Sequence, residues 1–407
     1  VFSKILEKLI YFRLETFINK HNILSENQFG FREKHSTNMA LLDIIDNITQ
    51  TLDSKAYSLG IFLDLSKAFD TIDHTILLSK LENYGVRGLA LNWFKSYLSN
   101  RQQSVEINTN ISLLQPITCG VPQGSILGPL LFIIYINDIT KVSTQMKSIL
   151  FADDTNLLLS DSDLMRLISK ANAELQKIII WLKINKLSLN IKKTHYIVFH
   201  FRQRRIPENL KVVIDNCEVE RVKFTKFLGV ILHENLTWAN HVSYLANKIH
   251  KSIGILKALQ PKLPISSLHM LYNTLVYPYL QYCNIAWASQ YNTLVERIFI
   301  LQKKALRIVC KKPWGAHTQQ LFKLLHTLKI TDINKHQTCC FMYKAIHDQL
   351  PHFFTGYFKL NKDVHHYSTR QSQNVHLTNI RSTKIKCIIK KHGPSLWNSL
   401  PDFSKTN

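Results

Sequence analysis

The sequence predicts an α+β protein whose first half mixes helices with short strands and whose second half is almost wholly helical. Three observations predict it. Apolar residues recur at helical spacing in several separate windows, and short apolar runs of strand length end at acidic or glycine-rich turns. Past Leu236 the strand-like runs give way to helical ones. Helix and strand alternate irregularly before that point, so a sheet with helices on one side is expected rather than a regular βαβ series.

Phe2, Ile5, Leu6, Leu9, Ile10, Leu14 and Phe17 fall at helical spacing and predict a first amphipathic helix belonging to a core. A turn-rich segment, Ser25 to Arg32, separates it from a second helix over Thr37 to Leu52. Tyr57 to Leu63 is a short apolar run that ends at Asp64, which suits a buried strand with a carboxylate at its tip. Asp73 is placed to cap a helix that Gly85 closes, and a further helix covers Leu89 to Leu98. Gln102 to Ile107 and Ser112 to Thr118 read as strands. The breaker-rich turn Cys119 to Ser125 then opens an apolar helix over Ile126 to Ile139. Ser148 to Ala152 and Asn156 to Leu159 flank Asp153-Asp154, the outline of a hairpin with two carboxylates at its apex. Asp161 to Lys186 reads as a helix, and Thr194 to Phe199 and Phe224 to Leu232 as strands.

Beyond Leu236, helices over His241 to Leu259 and Ile265 to Tyr279 are punctuated by Pro261, Pro264, Pro278 and Pro313. Boundaries near 236 and 295 divide the chain into domains 1–235, 236–295 and 296–407. The polar, basic tail from Lys359 to Asn407 is expected to be partly ordered.

Lys and Arg outnumber Asp and Glu by 51 to 28, and residues 301–407 supply 14 of the 23 net positive charges. Such a surface suits a polyanion. An anionic membrane is the other candidate, but the chain lacks an uncharged apolar run of about 18 residues or a lipidation signal, so nucleic acid is favoured and no membrane partner is expected. The seven cysteines are odd in number and scattered, which reads as reduced thiols in an intracellular protein. Nucleus and cytoplasm are the expected compartments, and secretion is not expected because no signal-peptide pattern is recognised. The chain opens with Val1 inside a helical pattern, the expectation being a fragment truncated at its N-terminus.

The carboxylates carry the chemistry. Nucleotidyl transfer needs charge neutralisation and alignment, which two Mg²⁺ ions roughly 4 Å apart supply through hard oxygen ligands on rigid elements. Asp64 and Asp153-Asp154 would converge if their strands were neighbours. Singly, an Asp at a strand end or turn is more often a local cap or a solvated charge.

The surrounding words change that balance. Phe62-Leu63-Asp64-Leu65-Ser66-Lys67-Ala68-Phe69-Asp70, then Gly120-Val121-Pro122-Gln123-Gly124-Ser125, then Phe151-Ala152-Asp153-Asp154 resemble in order the palm motifs A, B and C of reverse transcriptases, in the style of non-LTR, LINE-type, jockey-like retrotransposons. Gln28-Phe29-Gly30-Phe31-Arg32 with Ser36-Thr37 resembles the fingers motif, Leu189-Asn190 with Lys193-Thr194 motif D, and Phe227-Leu228-Gly229 the primer grip. The resemblance covers roughly residues 1–235 and implies a right-hand polymerase: partial fingers and a palm with an antiparallel sheet, then an all-helical thumb and C-terminal region.

It further implies that Asp64, Asp153 and Asp154 bind two Mg²⁺ ions, with Mn²⁺ as an alternative, and that the Leu65 backbone carbonyl joins them. Phe69 would exclude a 2′-hydroxyl beneath the incoming sugar, although an ordinary core Phe is its plain alternative. Gln123 and Gly124 would meet the nucleotide and Arg32 its triphosphate. Lys193, with Lys192 as a near rival, would protonate the leaving pyrophosphate. RNA template, DNA primer and dNTPs are the implied partners, the primer being the 3′ end of cleaved target DNA. Oligomeric state is not addressed.

In the helical remainder, Lys248, Lys251, Lys257 and Lys262 suit a grip on duplex phosphates. Trp287 and Trp314 could stack on unpaired bases, although a core position is the commoner fate of Trp. His336, Cys339 and Cys340 lack the second ligand pair of a zinc knuckle. Two other readings compete with an active retrotransposon enzyme. One is an inactive nucleic-acid-binding remnant; the other is a group II intron maturase or telomerase relative, against which Ala68 to His74 and Leu396 to Pro401 speak.

Overall fold

The computed structural model describes residues 2–289, 292–364, 371–377 and 389–401. The chain opens with helices α1 (Phe2–Lys20) and α2 (Thr37–Asp53), then strand β1 (Tyr57–Leu63). Helices α3 (His74–Asn83) and α4 (Leu89–Leu98) lead to four two-residue strands, β2 (Gln102–Gln103), β3 (Glu106–Ile107), β4 (Asn110–Ile111) and β5 (Gln115–Pro116). Next come α5 (Gly128–Ile136), β6 (Lys147–Phe151), β7 (Asp154–Asp161), α6 (Leu164–Ile184) and β8 (His195–Phe199). Short strands β9 (Val213–Ile214), β10 (Cys217–Glu218) and β11 (Glu220–Arg221) precede a hairpin of β12 (Phe224–Phe227) and β13 (Val230–His233). Helices α7 (Ala239–Leu259), α8 (Ile265–Leu275), α9 (Tyr277–Gln281), α10 (Asn284–Trp287), α11 (Asn292–Val309), α12 (Gln319–Leu324) and α13 (Ile330–Ile346) follow.

Two compact units result, the first made of Val1–Ser36, Ala56–Val198 and Gln203–Val222. Its frame is a five-stranded sheet in the order β11-β8-β1-β7-β6. The β1–β7 and β7–β6 pairs are antiparallel, whereas β11 runs parallel to β8. The sheet is therefore mixed and not purely antiparallel, because the 20-odd residues between β8 and β11 are long enough for a same-direction return. Helix α5 is apolar all round, and Leu130 to Ile136 are each at most 2% exposed, so it is the central rod of this core. Asp73 caps α3 by accepting from the Ile76 N–H, and Asp163 caps α6 through the Arg166 N–H.

Two expectations change here. In α1 only Leu14 and Ile18 of the apolar residues are fully buried, while Phe2 is 88% exposed and Ile5, Leu6 and Leu9 are exposed too. Periodicity located the helix but not how far along it the core extends. The strands expected over 102–107 and 112–118 are only two-residue pairs in an exposed arm, since Val105, Ile107, Ile111, Leu113 and Leu114 are all exposed and gain little burial that would prolong them.

The second unit comprises Thr37–Lys55, Phe199–Arg202 and Lys223–Asn407. Helix α2 belongs to it and packs on α10. Phe224 to Leu232, read as one strand, is a hairpin: Leu228 (φ 43°) and Gly229 (φ 79°) form a two-residue turn between β12 and β13. The Tyr282 hydroxyl donates to the Leu228 carbonyl at 2.8 Å and backs that turn. Trp238, Trp287 and Tyr272 are buried, so Trp287 is a core residue. Two buried polar groups are tied in: Gln302 donates to Tyr272 and Leu328 and accepts from Ile330, and Asp46 accepts from Tyr357 and pairs with Lys390. Within the expected tail, 365–370, 378–388 and 402–407 lie outside the described residues. Among the described residues no helix is long and apolar enough to cross a membrane.

Candidate active site

Asp64 leaves the end of β1 where its neighbour β7 begins. Leu63 faces Thr155 in the antiparallel ladder, so one further step sets Asp64 beside Asp154. Phe151 pairs with Asp154, leaving Ala152 and Asp153 as the two-residue turn of the β6–β7 hairpin. Two elements distant in sequence thus bring three carboxylates to one end of the sheet.

That turn is held from outside. Ala152 has φ 55°, a conformation that costs a residue with a Cβ about 1–2 kcal/mol. The Gln28 Oε1 accepts from the Ala152 N–H at 3.1 Å and from the Gly30 N–H at 2.8 Å. Phe29 N–H donates to the Leu150 carbonyl and Leu150 N–H to the Asn27 carbonyl, both at 2.8 Å, so residues 27–30 lie along β6. A Cβ on Gly30 would stand 2.3 Å from the Ala152 nitrogen, so only glycine lets the two backbones approach this closely. Gln28 is fully buried.

The carboxylates feel one another. The Asp154 carboxyl is pushed up to about 6, first by desolvation and then by the negative charges of Asp153 and Asp64. The Lys193 Nζ lies 4.0 Å from Asp64 Oδ2. The segment carrying Lys193 is stitched to the end of β1: Asn190 N–H donates to the Asp64 carbonyl and Ser66 N–H to the Ser188 carbonyl, each at 2.8 Å, and the Asp64 N–H donates to Thr194 Oγ1 at 3.3 Å. Leu65 faces Leu189 between those bonds, which leaves its own carbonyl out of this ladder and on the opposite edge of the strand.

Phe69 is half-buried, stacked on Phe132 at 4.4 Å between centroids and edge-on to Phe31 at 6.4 Å. The glycine-rich loop rests on the same turn, with Val121 N–H donating to the Phe69 carbonyl and Gly120 N–H to that of Ile72. Gly120 (φ 84°) would drive a Cβ to 2.8 Å from the Asp70 carbonyl oxygen. The Gln123 Nε2 donates to Asp70 Oδ1 at 2.9 Å beside a cavity of about 710 Å³ that Lys67, Arg101 and Thr118 also line. Gly124 has φ 78° and open space around it. Arg32 stands apart in kind: its Nη1 donates to the carbonyls of Ser25 and Gln28, and desolvation holds its pKa below the usual arginine value.

The donor set, three crowded carboxylates and a spare backbone carbonyl, suits hard divalent cations, because a cation would offset both the burial and the like charge that raise Asp154. Among the described residues no three His, Cys, Asp or Glu side chains are already arranged to hold an ion. Sequence reasoning gave no role to Gln28, Asp70 or Thr194. Gln28 and Thr194 stand inside quoted motif words, but only the fold shows which backbone groups they hold.

The family model described as "Reverse transcriptase (RNA-dependent DNA polymerase)" matches residues 1–232. The chain belongs to the reverse transcriptase family. Similar curated proteins include the "Probable RNA-directed DNA polymerase from transposon X-element" of Drosophila melanogaster, 29% identical over 83% of this chain and 37% of that protein. The "RNA-directed DNA polymerase from mobile element jockey" of the same species is 28% identical over 81% of this chain and 37% of that protein. The chain therefore spans little more than a third of the length of these relatives. A solved telomerase from Candida albicans aligns with 81% of this reverse transcriptase chain and 59% of its own, at 12% identity and a TM-score of 0.44. Apo telomerase from Candida tropicalis aligns with 81% and 54%, at 12% identity and a TM-score of 0.46.

Proposed function

We propose that this chain is the polymerase core of a non-LTR retrotransposon reverse transcriptase, which adds dNTPs to a DNA primer 3′-hydroxyl opposite an RNA template. The observation that carries the reading is the meeting of Asp64 with Asp153-Asp154 at one sheet end, where burial first and like charge second raise Asp154. Asp64 and Asp153 would hold two divalent ions, Mg²⁺ or Mn²⁺, with Asp154 and the Leu65 carbonyl completing the set. When bound, the ions would neutralise the triphosphate and lower the pKa of the primer 3′-hydroxyl. Gln28 and Gly30 act as positioning residues that fix the turn carrying Asp153. Lys193, whose Nζ lies 4.0 Å from Asp64 Oδ2, would hand a proton to the leaving pyrophosphate. Gln123, steadied by Asp70, and Gly124 would border the nucleotide. Arg32 could meet a triphosphate only through donors other than Nη1.

Phe69 is the proposed barrier to a 2′-hydroxyl, with Phe132 stacked against its ring. Phe69→Val should lower discrimination against rNTPs about tenfold, and unchanged discrimination would leave the ring a packing residue. The proposed division keeps residues 1–235 as fingers and palm, 236–295 as thumb and 296–407 as a basic helical region. Lys248, Lys251, Lys257 and Lys262 are all exposed, as a grip on phosphates needs.

Extension of a primed RNA template with dNTPs and Mg²⁺, run beside Asp153→Ala, tests the core of this reading. Incorporation by the parent and none by the variant is expected. Equal incorporation by both would remove the carboxylates from the chemistry, and none by either would favour a nucleic-acid-binding remnant.

A further inference from the structure

We propose that Trp314 and the cations around it form a binding site for an unpaired nucleic acid strand, built from residues other than those of the polymerase site. Charge supplies the first half. Residues 301–331 contain seven Lys and Arg and no Asp or Glu. Lys303 is paired with Glu296 at 3.2 Å, but Lys304, Arg307, Lys311 and Lys312 have no ion pair among the described residues. Lys311 and Lys312 are exposed.

The indole supplies the second half. Trp314 is 68% exposed, whereas Trp238 and Trp287 are each 1% exposed in the same unit, so its ring does not serve the core. It sits on a short loop that is clasped shut. Lys312 N–H donates to the Arg307 carbonyl at 2.9 Å, Ala316 N–H to Pro313 at 3.1 Å, and the Arg307 Nε to the Ala316 carbonyl at 2.9 Å. Lys304 and Arg307 lie 5.5 and 5.7 Å from the ring centroid. An aromatic face displayed on a preordered loop and flanked by cations presents one surface to a base and another to its phosphates, with little ordering cost on binding. A duplex keeps its bases stacked on each other and could use only the cations, so the ring selects a single strand.

The test uses the full chain and fluorescence anisotropy at one fixed salt concentration, with a 20-nucleotide oligo(U), the matching oligo(dT) and a blunt DNA duplex as probes. Trp314→Ala should weaken both single strands about tenfold, since stacking on an aromatic side chain is indifferent to the sugar, and leave the duplex unchanged. Trp314→Phe should recover most of the loss, and neither variant should move the thermal midpoint. Unchanged oligo(U) affinity in Trp314→Ala would overturn the proposal. So would an equal loss on duplex and single strand, which would make the patch a general anion surface. Primer extension on a short primed template reports on the polymerase reading separately.

Discussion

Three hairpins of this chain share the pattern of two apolar runs around a turn, and they come to different ends. The β6–β7 hairpin carries Asp153 on a turn held by Gln28 and fitted against Gly30. The β12–β13 hairpin turns through Leu228-Gly229 and is clasped by Tyr282 and by His241, whose Nδ1 accepts from the Ile231 N–H at 3.4 Å. Among the described residues nothing clasps the arm over 102–116, and its apolar side chains are exposed. Strand propensity is common to all three, so what separates a rigid site from an arm is the part that packs upon it. Substitutions should therefore cost in proportion to the clasp they break.

The largest effect is expected at the first hairpin. Gly30→Ala places a Cβ against backbone that cannot yield like a side-chain tip, and should reduce primer extension at least a hundredfold by displacing Asp153. Gln28→Ala removes two hydrogen bonds to backbone N–H groups that stay buried, and should cost roughly 1–3 kcal/mol of stability as well as activity. Steady-state kinetics should show the loss in kcat with little change in template affinity. Full activity in both variants would mean that the turn at Ala152 holds itself.

The next effect is on pH. His241 is buried between Trp238 and Trp287, its Nε2 has no hydrogen-bond partner among the described residues, and desolvation holds its pKa down to about 4. The unfolded chain takes up that proton near 6.5 and the folded one only near 4, so stability falls as pH drops through this window. Urea unfolding of the helical unit should give a value roughly 2 kcal/mol lower at pH 5 than at pH 7 from this group alone. His241→Gln should flatten that slope, and a slope unchanged in the variant would assign the acid sensitivity elsewhere. Tyr282→Phe is the milder break in the same clasp, expected to cost about 1 kcal/mol through the hydrogen bond to Leu228.

What the sequence could and could not disclose follows the same division. Asp64, Asp153 and Asp154 were legible because a strand end and a hairpin apex are local patterns and because the motif words stand in order. The Asp73 cap and the Gly85 stop were legible for the same reason. The clasps were not: Gln28 and Ala152 are 124 residues apart, and Tyr282 and Leu228 are 54 apart. Nothing local in either sequence stretch announces the pairing. Likewise the periodicity of α1 predicted a buried face from Phe2 onward, but periodicity records which side of a helix is apolar and not where its partner stops. Trp287 and Trp314 were indistinguishable by residue type, and only packing made one core and the other surface.

The smallest effect is expected in the arm. Ile111 is 68% exposed and Ile107 66%, and they sit in two-residue strands that bond only to each other. Ile111→Ser removes little buried apolar area, so thermal stability should change by less than about 0.5 kcal/mol. Activity on a short primed template should hold as well, because no hydrogen bond in the described residues runs from Ile111 to the loop bearing Gln123 or to the carboxylates. A destabilisation as large as that of Tyr282→Phe would show that the arm is clasped in solution by a contact its exposure conceals. The contrast between held and free hairpins would then fail at its weaker end.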